Sequence, residues 1–180
     1  CKACVPVRIA ADRFLPNRSQ RRVNQAHADL VVRIVKPAFV TAHYELYIAY
    51  QRQRHAGGGM DQDNVEQYEE FLLQSRVNSR MVEFWRESPD GEQLLMVSII
   101  DVLSDGISAV YTFYDPQVKS GLGTFNILWQ IAQANSLGLP YIYLGYWIEK
   151  SPKMNYKRQF EGQEHLIDGE WLAVSRQPVP

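Results

Sequence analysis

Residues 117–124 read Gln-Val-Lys-Ser-Gly-Leu-Gly-Thr and lie between an apolar run and the start of an amphipathic segment. A loop that opens a helix leaves backbone N–H groups free, and the helix dipole adds positive character there. Such a place suits a phosphate or another anion. Gly121 and Gly123 let the backbone turn freely and approach a ligand closely. The pattern alone is also that of a plain strand–helix turn. A second group lies downstream, where Lys150, Lys153, Lys157 and Arg158 are interleaved with Trp147 and Tyr156. Cations for a backbone and rings for stacking suit a nucleic-acid end, with a solvated basic helix as the alternative. Cys1 and Cys4 have Cys-x-x-Cys spacing, half of what zinc or an iron–sulfur cluster needs, so a structural or incidental role is favoured and a metal role is the alternative.

These groups need elements to position them. The 180 residues suit one domain with a short appendage, and 46% hydrophobic with 22% charged residues is ordinary globular composition. No apolar run approaches the roughly 20 residues of a membrane span, and the Arg-bearing start does not read as a signal peptide. The reading is of a soluble cytoplasmic protein without membrane partners. The net charge of −1 hides an asymmetry: residues 1–36 carry eight Lys/Arg against two Asp, and residues 61–105 carry three Arg against eleven Asp/Glu. A basic N-terminal stretch favours a polyanionic partner.

Residues 1–28 show little periodicity, with a loop at Asn17–Gln20. A strand is predicted over 29–36, then a helix from an N-cap at Thr41 to about Arg54. A second helix is capped at Asn64, with Val65, Tyr68 and Leu72 at helical spacing. Three strands follow over 81–87, 93–102 and 107–114, and their short Asp-Gly turns favour antiparallel pairing. A helix over 124–136 should turn Phe125, Leu128, Trp129 and Ala132 inward. Residues 141–147 should then form a central strand buried on both faces. A short basic helix over 153–158 and a hairpin turning at Asp168-Gly169 complete the chain. The architecture is α+β, a mixed central sheet flanked by helices.

That order matches the GNAT acyltransferase fold. More specifically, Ala109–Pro116, Gly121–Thr124, Ile127–Gln130, Leu137–Ile148 and Lys153–Lys157 resemble blocks of the aminoacyl-tRNA–protein transferases. Tyr44–His55 and Cys4–Arg8 resemble the same family upstream. The length and the Cys1–Arg8 start are similar to its bacterial branch, which transfers leucine from leucyl-tRNA to proteins beginning with Asp or Glu and so marks them for N-degron degradation. The resemblance implies that residues 1–28 are the remainder of an N-terminal region whose upstream part is missing, and that 29–180 form the GNAT-like aminoacyltransferase domain. The alternatives are an arginyl-tRNA–protein transferase, an acetyl-CoA-dependent GNAT N-acetyltransferase and a non-catalytic tRNA-binding module. Gln117 lies four residues before Gly121 rather than the three of the usual acetyl-CoA loop.

The reaction that the resemblance implies also distributes roles, by residue type. Aminoacyl-tRNA is the co-substrate and no cofactor is required. The tRNA end falls to Gly121, Leu122, Gly123, Thr124, Trp147, Lys150, Lys153, Tyr156, Lys157 and Arg158. Tyr146 helps to cradle the terminal nucleotide or carbonyl, and Asp101 or Glu45 accepts protons from the amine. An acidic acceptor residue needs a cation, preferably Arg for its bidentate fit. Arg76 and Arg80 are expected near the peptide cleft, with Arg8, Arg54 and His55 as rivals.

Overall fold

The computed structural model describes residues 3–54, 64–75, 77–118 and 121–174, with Lys153 placed by its backbone alone. In chain order the elements are β1 (Val5–Ala10), α1 (Arg18–Ala26), β2 (Val31–Val35), α2 (Thr41–Arg54), α3 (Val65–Leu72), β3 (Ser79–Ser88) and β4 (Gly91–Val102). They continue with β5 (Gly106–Tyr114), α4 (Leu122–Ser136), β6 (Tyr141–Trp147), a 3-10 segment (Pro152–Gln159), β7 (Gln163–Ile167) and β8 (Glu170–Ala173). All eight strands join one sheet in the order β2-β3-β4-β5-β6-β1-β7-β8. Neighbours run antiparallel except β5 and β6, which run parallel.

Alternation along the strands sends successive side chains to opposite faces and builds two cores. Val82, Phe84, Leu95, Ile107 and Ile142 pack with Leu122, Leu128 and Ile131 of α4. Met81, Val97 and Phe113 pack with Tyr47 of α2 and with Tyr68 and Leu72 of α3. The α4 helix is also held by hydrogen bonds: Asn126 Nδ2 donates to Thr112 Oγ1 (2.9 Å), Gln130 Nε2 donates to Ser98 Oγ (3.3 Å), and the two hydroxyls lie 3.1 Å apart. Buried side-chain hydrogen bonds of this kind fix a helix in one register on its sheet.

The three meander strands, the first two long helices and the terminal hairpin fall where the sequence places them. Residues 1–28 do not follow the expectation of weak structure. Val5–Ala10 is a full strand between β6 and β7, and Asn17–Gln20 is a capping box in which each side chain accepts the other's backbone N–H, at 2.8 and 2.9 Å. Pro6 and Arg8 hide the strand, while α1 is so polar that its cap is its clearest signal. In α4, Ile131 and Ala134 are buried, whereas Ala132 is exposed and Trp129 is only half-buried.

The largest departure concerns β6. Its first three residues pair with Gly106–Ser108 of β5, and the two strands then part. Their approach is close at the start, where a Cβ on Gly106 would lie 2.5 Å from the Tyr141 carbonyl oxygen. Beyond the parting point, Val110 is 44% and Tyr146 is 59% exposed, so the end of this central strand is not buried on both faces.

Candidate active site

The parting of β5 from β6 brings two features to the same end of the sheet. The first is the start of α4. Gly121 is its N-cap, with φ of +79° and no side-chain cap, so among the described residues nothing takes the first N–H groups of the helix, which suit a ligand. Tyr114, at the end of β5, lies beside this turn, and a Cβ on Gly123 would sit 3.6 Å from its ring. The second is the end of β6 with the 3-10 segment that follows it. Gln159 Nε2 donates to Thr124 Oγ1 (3.3 Å), which ties this segment to the first turn of α4. From the side of α1, Gln20 Nε2 donates to the Gln159 carbonyl (3.1 Å).

A cleft of about 520 Å³ opens here, lined by Gln53, Arg54, Tyr114, Pro116, Val118, Gly121 and Leu122. Arg54, the last residue of α2, is exposed and donates from Nη2 to the Tyr114 hydroxyl (2.6 Å). The Tyr114 ring is in turn held against Tyr50, centroids 4.9 Å apart. A guanidinium at one wall and a helix N-terminus at the other give the cleft two sources of positive potential.

The residues assigned to the tRNA end divide. Gly121, Leu122, Gly123 and Thr124 form the turn at the cleft. Lys150, Tyr156 and Arg158 are exposed on the adjoining segment, and the Arg158 guanidinium lies 5.9 Å over the ring of half-buried Trp147. Lys157 departs from the expectation. It is buried, its ammonium donates to the Tyr146 carbonyl oxygen, and desolvation pushes its pKa below the usual lysine range. The Lys153 side chain lies outside the described residues.

The candidates for the acceptor peptide divide more sharply. Arg76 and His55 lie outside the described residues. Arg8 is buried: Nε donates to Glu164 (2.7 Å), and the guanidinium is stacked 3.5 Å over Tyr141 and 4.3 Å over Trp171. With its donors and both faces occupied, it straps β1 to β6, β7 and β8 and is not a substrate ligand. Burial pushes the Glu164 carboxyl up, but hydrogen bonds from Arg8 and Arg13 outweigh this and hold it below its ordinary value.

Arg80 lines a different cleft with Lys36 and Ser79, and its Nη1 donates to the Ser79 carbonyl oxygen (2.7 Å). Asp101 accepts from the Ser79 hydroxyl at that same end. In register Asp101 faces Ser108, whereas the first turn of α4 adjoins Tyr114. Six steps along a strand are about 20 Å. Asp101 and Arg80 therefore sit far from the α4 terminus, and Glu45 is simply exposed on α2. Sequence reasoning missed Tyr114 as the residue that seats Arg54; its place at the end of an apolar run before Asp115-Pro116 reads as core.

Among the described residues no cluster of His, Cys, Asp or Glu could hold a metal ion. Cys4 is exposed and unpaired, and Cys1 lies outside the described residues. No helix of the described residues is long and apolar enough to cross a membrane.

The fold is that of the GNAT-type acyltransferases. FemX has the same fold, with a TM-score of 0.62 at 8% identity over 84% of this chain and 55% of its own. So has a GCN5-related glucosamine N-acetyltransferase region from a fungal multi-domain GH3 beta-N-acetylglucosaminidase, with a TM-score of 0.54 at 10% identity over 90% of this chain and 19% of that one. Residues 42–167 match the family model described as "Arginine-tRNA-protein transferase, C terminus". The aspartate/glutamate leucyltransferase of Polynucleobacter necessarius is 52% identical over 97% of this chain and 70% of its own length. That of Methylobacillus flagellatus is 54% identical over 97% and 69%. The chain belongs to the aminoacyl-tRNA–protein transferase family.

Proposed function

We propose that the protein transfers leucine from leucyl-tRNA to the N-terminal α-amine of proteins beginning with Asp or Glu, in the cytoplasm and as a mark for N-degron degradation. The observation that carries this reading is the convergence of the α4 terminus, Arg54 and the basic, aromatic segment at one end of the sheet. Its support in the family is the leucyltransferase name borne by relatives about half identical over nearly the whole chain.

The chemistry asks little of acid–base groups. The amine nitrogen attacks the ester carbonyl, the bond to the ribose oxygen breaks, and the proton lost by the amine is balanced by one gained at that oxygen. An α-amine has a pKa near 8, so about a tenth is already neutral at pH 7. Alignment and donors to the developing oxyanion then supply most of the rate. The free N–H groups at Leu122–Thr124 suit the carbonyl or terminal phosphate, and the exposed Tyr146 ring suits the same end of the substrate. Lys150, Arg158, Trp147 and Tyr156 suit the acceptor end of the tRNA. Arg54 suits the acidic side chain of the acceptor, because it is the described cation that stands at this cleft with its guanidinium exposed. The distance of Asp101 from the cleft argues against it as proton acceptor, and water suffices for an amine this weakly basic.

The test supplies labelled Leu-tRNA, Arg-tRNA and acetyl-CoA to the full-length enzyme with peptides starting Asp, Glu, Lys or Ala. Leucine on the Asp and Glu peptides alone is the expected result. Arginine or acetyl transfer, or charged and uncharged tRNA binding with no transfer, would each replace the reading.

A further inference from the structure

Lys157 is 6% exposed. Among the described residues it has no carboxylate ion-pair partner. Buried ammonium groups are costly unless something in the fold needs them. What needs this one is the main chain of β6. The register partner of Tyr146 is Pro6, which has no N–H to donate. On the other side β5 has already left β6 after Ser108. At the same place the β1–β6 register slips, with three steps on β6 from Tyr143 to Tyr146 against two on β1 from Arg8 to Pro6. The extra residue makes a bulge in which Gly145 adopts φ of +71°, and a bulge re-aims the side chains beside it. Here the re-aimed side chain is Tyr146, which leaves the sheet exposed.

The segment carrying Lys157 is itself pinned on two sides. Gln163 Nε2, from β7, donates to the Lys157 and Phe160 carbonyls, and Gln159 reaches Thr124. The ammonium therefore joins the bulged end of β6 to a segment anchored on both β7 and the first turn of α4.

We propose that Lys157 is a positioning residue of the transfer site: through the Tyr146 carbonyl it fixes the β6 bulge, so that the Tyr146 ring faces the aminoacyl ester, and it makes no contact with tRNA phosphate. This rests on the transfer reaction proposed above.

Lys157→Met keeps most of the length of the side chain and removes its donor and charge. In the full-length enzyme this change should lower kcat for leucine transfer about 10- to 100-fold, the cost of a misplaced reacting group. The Kd for tRNA and its salt dependence should move less than about twofold, whereas loss of one phosphate contact lowers the salt slope by about one. In a Tyr146→Ala background the same change should cost less than about threefold, because residues acting through one another are not additive. Multiplying losses, or a reduced salt slope, would overturn the proposal. A measurement on the unaltered enzyme covers a variant that fails to fold. Reductive methylation should label Lys157 at least about tenfold more slowly than Lys150, equally with and without uncharged tRNA. Protection of Lys157 only when tRNA is bound would refute the assignment. Absence of leucine transfer by the unaltered enzyme would instead count against the reaction, and the labelling result would stand apart from it.

Discussion

Arg54 shows how a surface cation becomes a usable one. A solvated arginine samples many rotamers, and ordering it costs up to about 2 kcal/mol. Here the Tyr114 hydroxyl accepts from its guanidinium, and that tyrosine is itself wedged between Tyr50 and Gly123. Part of the ordering cost is therefore met before substrate arrives. Burial among aromatics drives the Tyr50 hydroxyl to a raised pKa, so it stays neutral across the working range. Arg54→Gln should reduce kcat/KM for Asp- and Glu-starting peptides about 10- to 100-fold, the worth of a hydrogen bond to a charged group, and leave an Asn-starting peptide at its low level. Steady-state assays with the three peptides decide it. A uniform loss would mean that Arg54 serves the tRNA rather than the acceptor. Arg54 had appeared in sequence as one arginine among several, because nothing local marks a residue whose partner lies 60 positions away.

At the scale of elements, the site depends on where α4 begins and which way it faces. The asparagine and glutamine on its inner face anchor it to the hydroxyls of β4 and β5, and Gly121 starts it in a conformation that an L-residue adopts at a cost. Gly121→Ala would place a Cβ 3.3 Å from Val23 at φ of +79°, so it should destabilise the protein by about 1–2 kcal/mol and weaken anion binding by more than that loss explains. Chemical denaturation beside phosphate or minihelix titration separates the two; binding unchanged in a folded variant would exclude this turn from the site. The helix, the meander and the final hairpin were legible because their signals are local: Asp-Gly turns, periodicity, an N-cap asparagine. Asp168 and Gly169 indeed take φ of 50° and 90°, as a tight hairpin requires. The splay of β5 from β6 was not legible. The run Tyr141–Trp147 looks uniformly apolar, and only the sheet shows that beyond Tyr143 it has no neighbour on the β5 side. The same holds for β1, whose Pro6 and Arg8 contradict a strand until Glu164 and Lys157 supply what they lack.

The whole molecule has a built-in acid sensitivity. His43 of α2 is fully buried, and its Nε2 lies 2.9 Å from Glu83 of β3, which also accepts from the Trp85 indole (2.9 Å). Desolvation outweighs the pull of Glu83 and pushes the His43 pKa below its ordinary value. His165 is lowered by burial as well. A group with a depressed folded pKa contributes stability that is present above its unfolded value, near 6.5. That contribution is lost as pH falls through the folded one. Glu164, also depressed, adds a second loss below about pH 4.5 by the same rule. Stability should therefore hold from pH 8 to 7 and decline from 6.5 toward 5. His43→Gln should flatten that first decline while lowering the plateau. Denaturant midpoints measured at half-unit pH steps would show it; an unchanged slope would remove His43 as the cause.

The placement of β1 between β6 and β7 also governs the order of assembly. Arg8 meets a carboxylate 156 residues later, so β1 waits for a strand synthesised long after it. The β2–β5 meander can close on itself as it emerges, but the centre of the sheet cannot form until β6 and β7 are synthesised. Contacts of such long sequence separation slow folding, because loop closure must come before they stabilise anything. During that interval Val5–Ala10 is an unpaired apolar strand, and its proline, unable to complete a ladder, is a safeguard against pairing with the wrong chain.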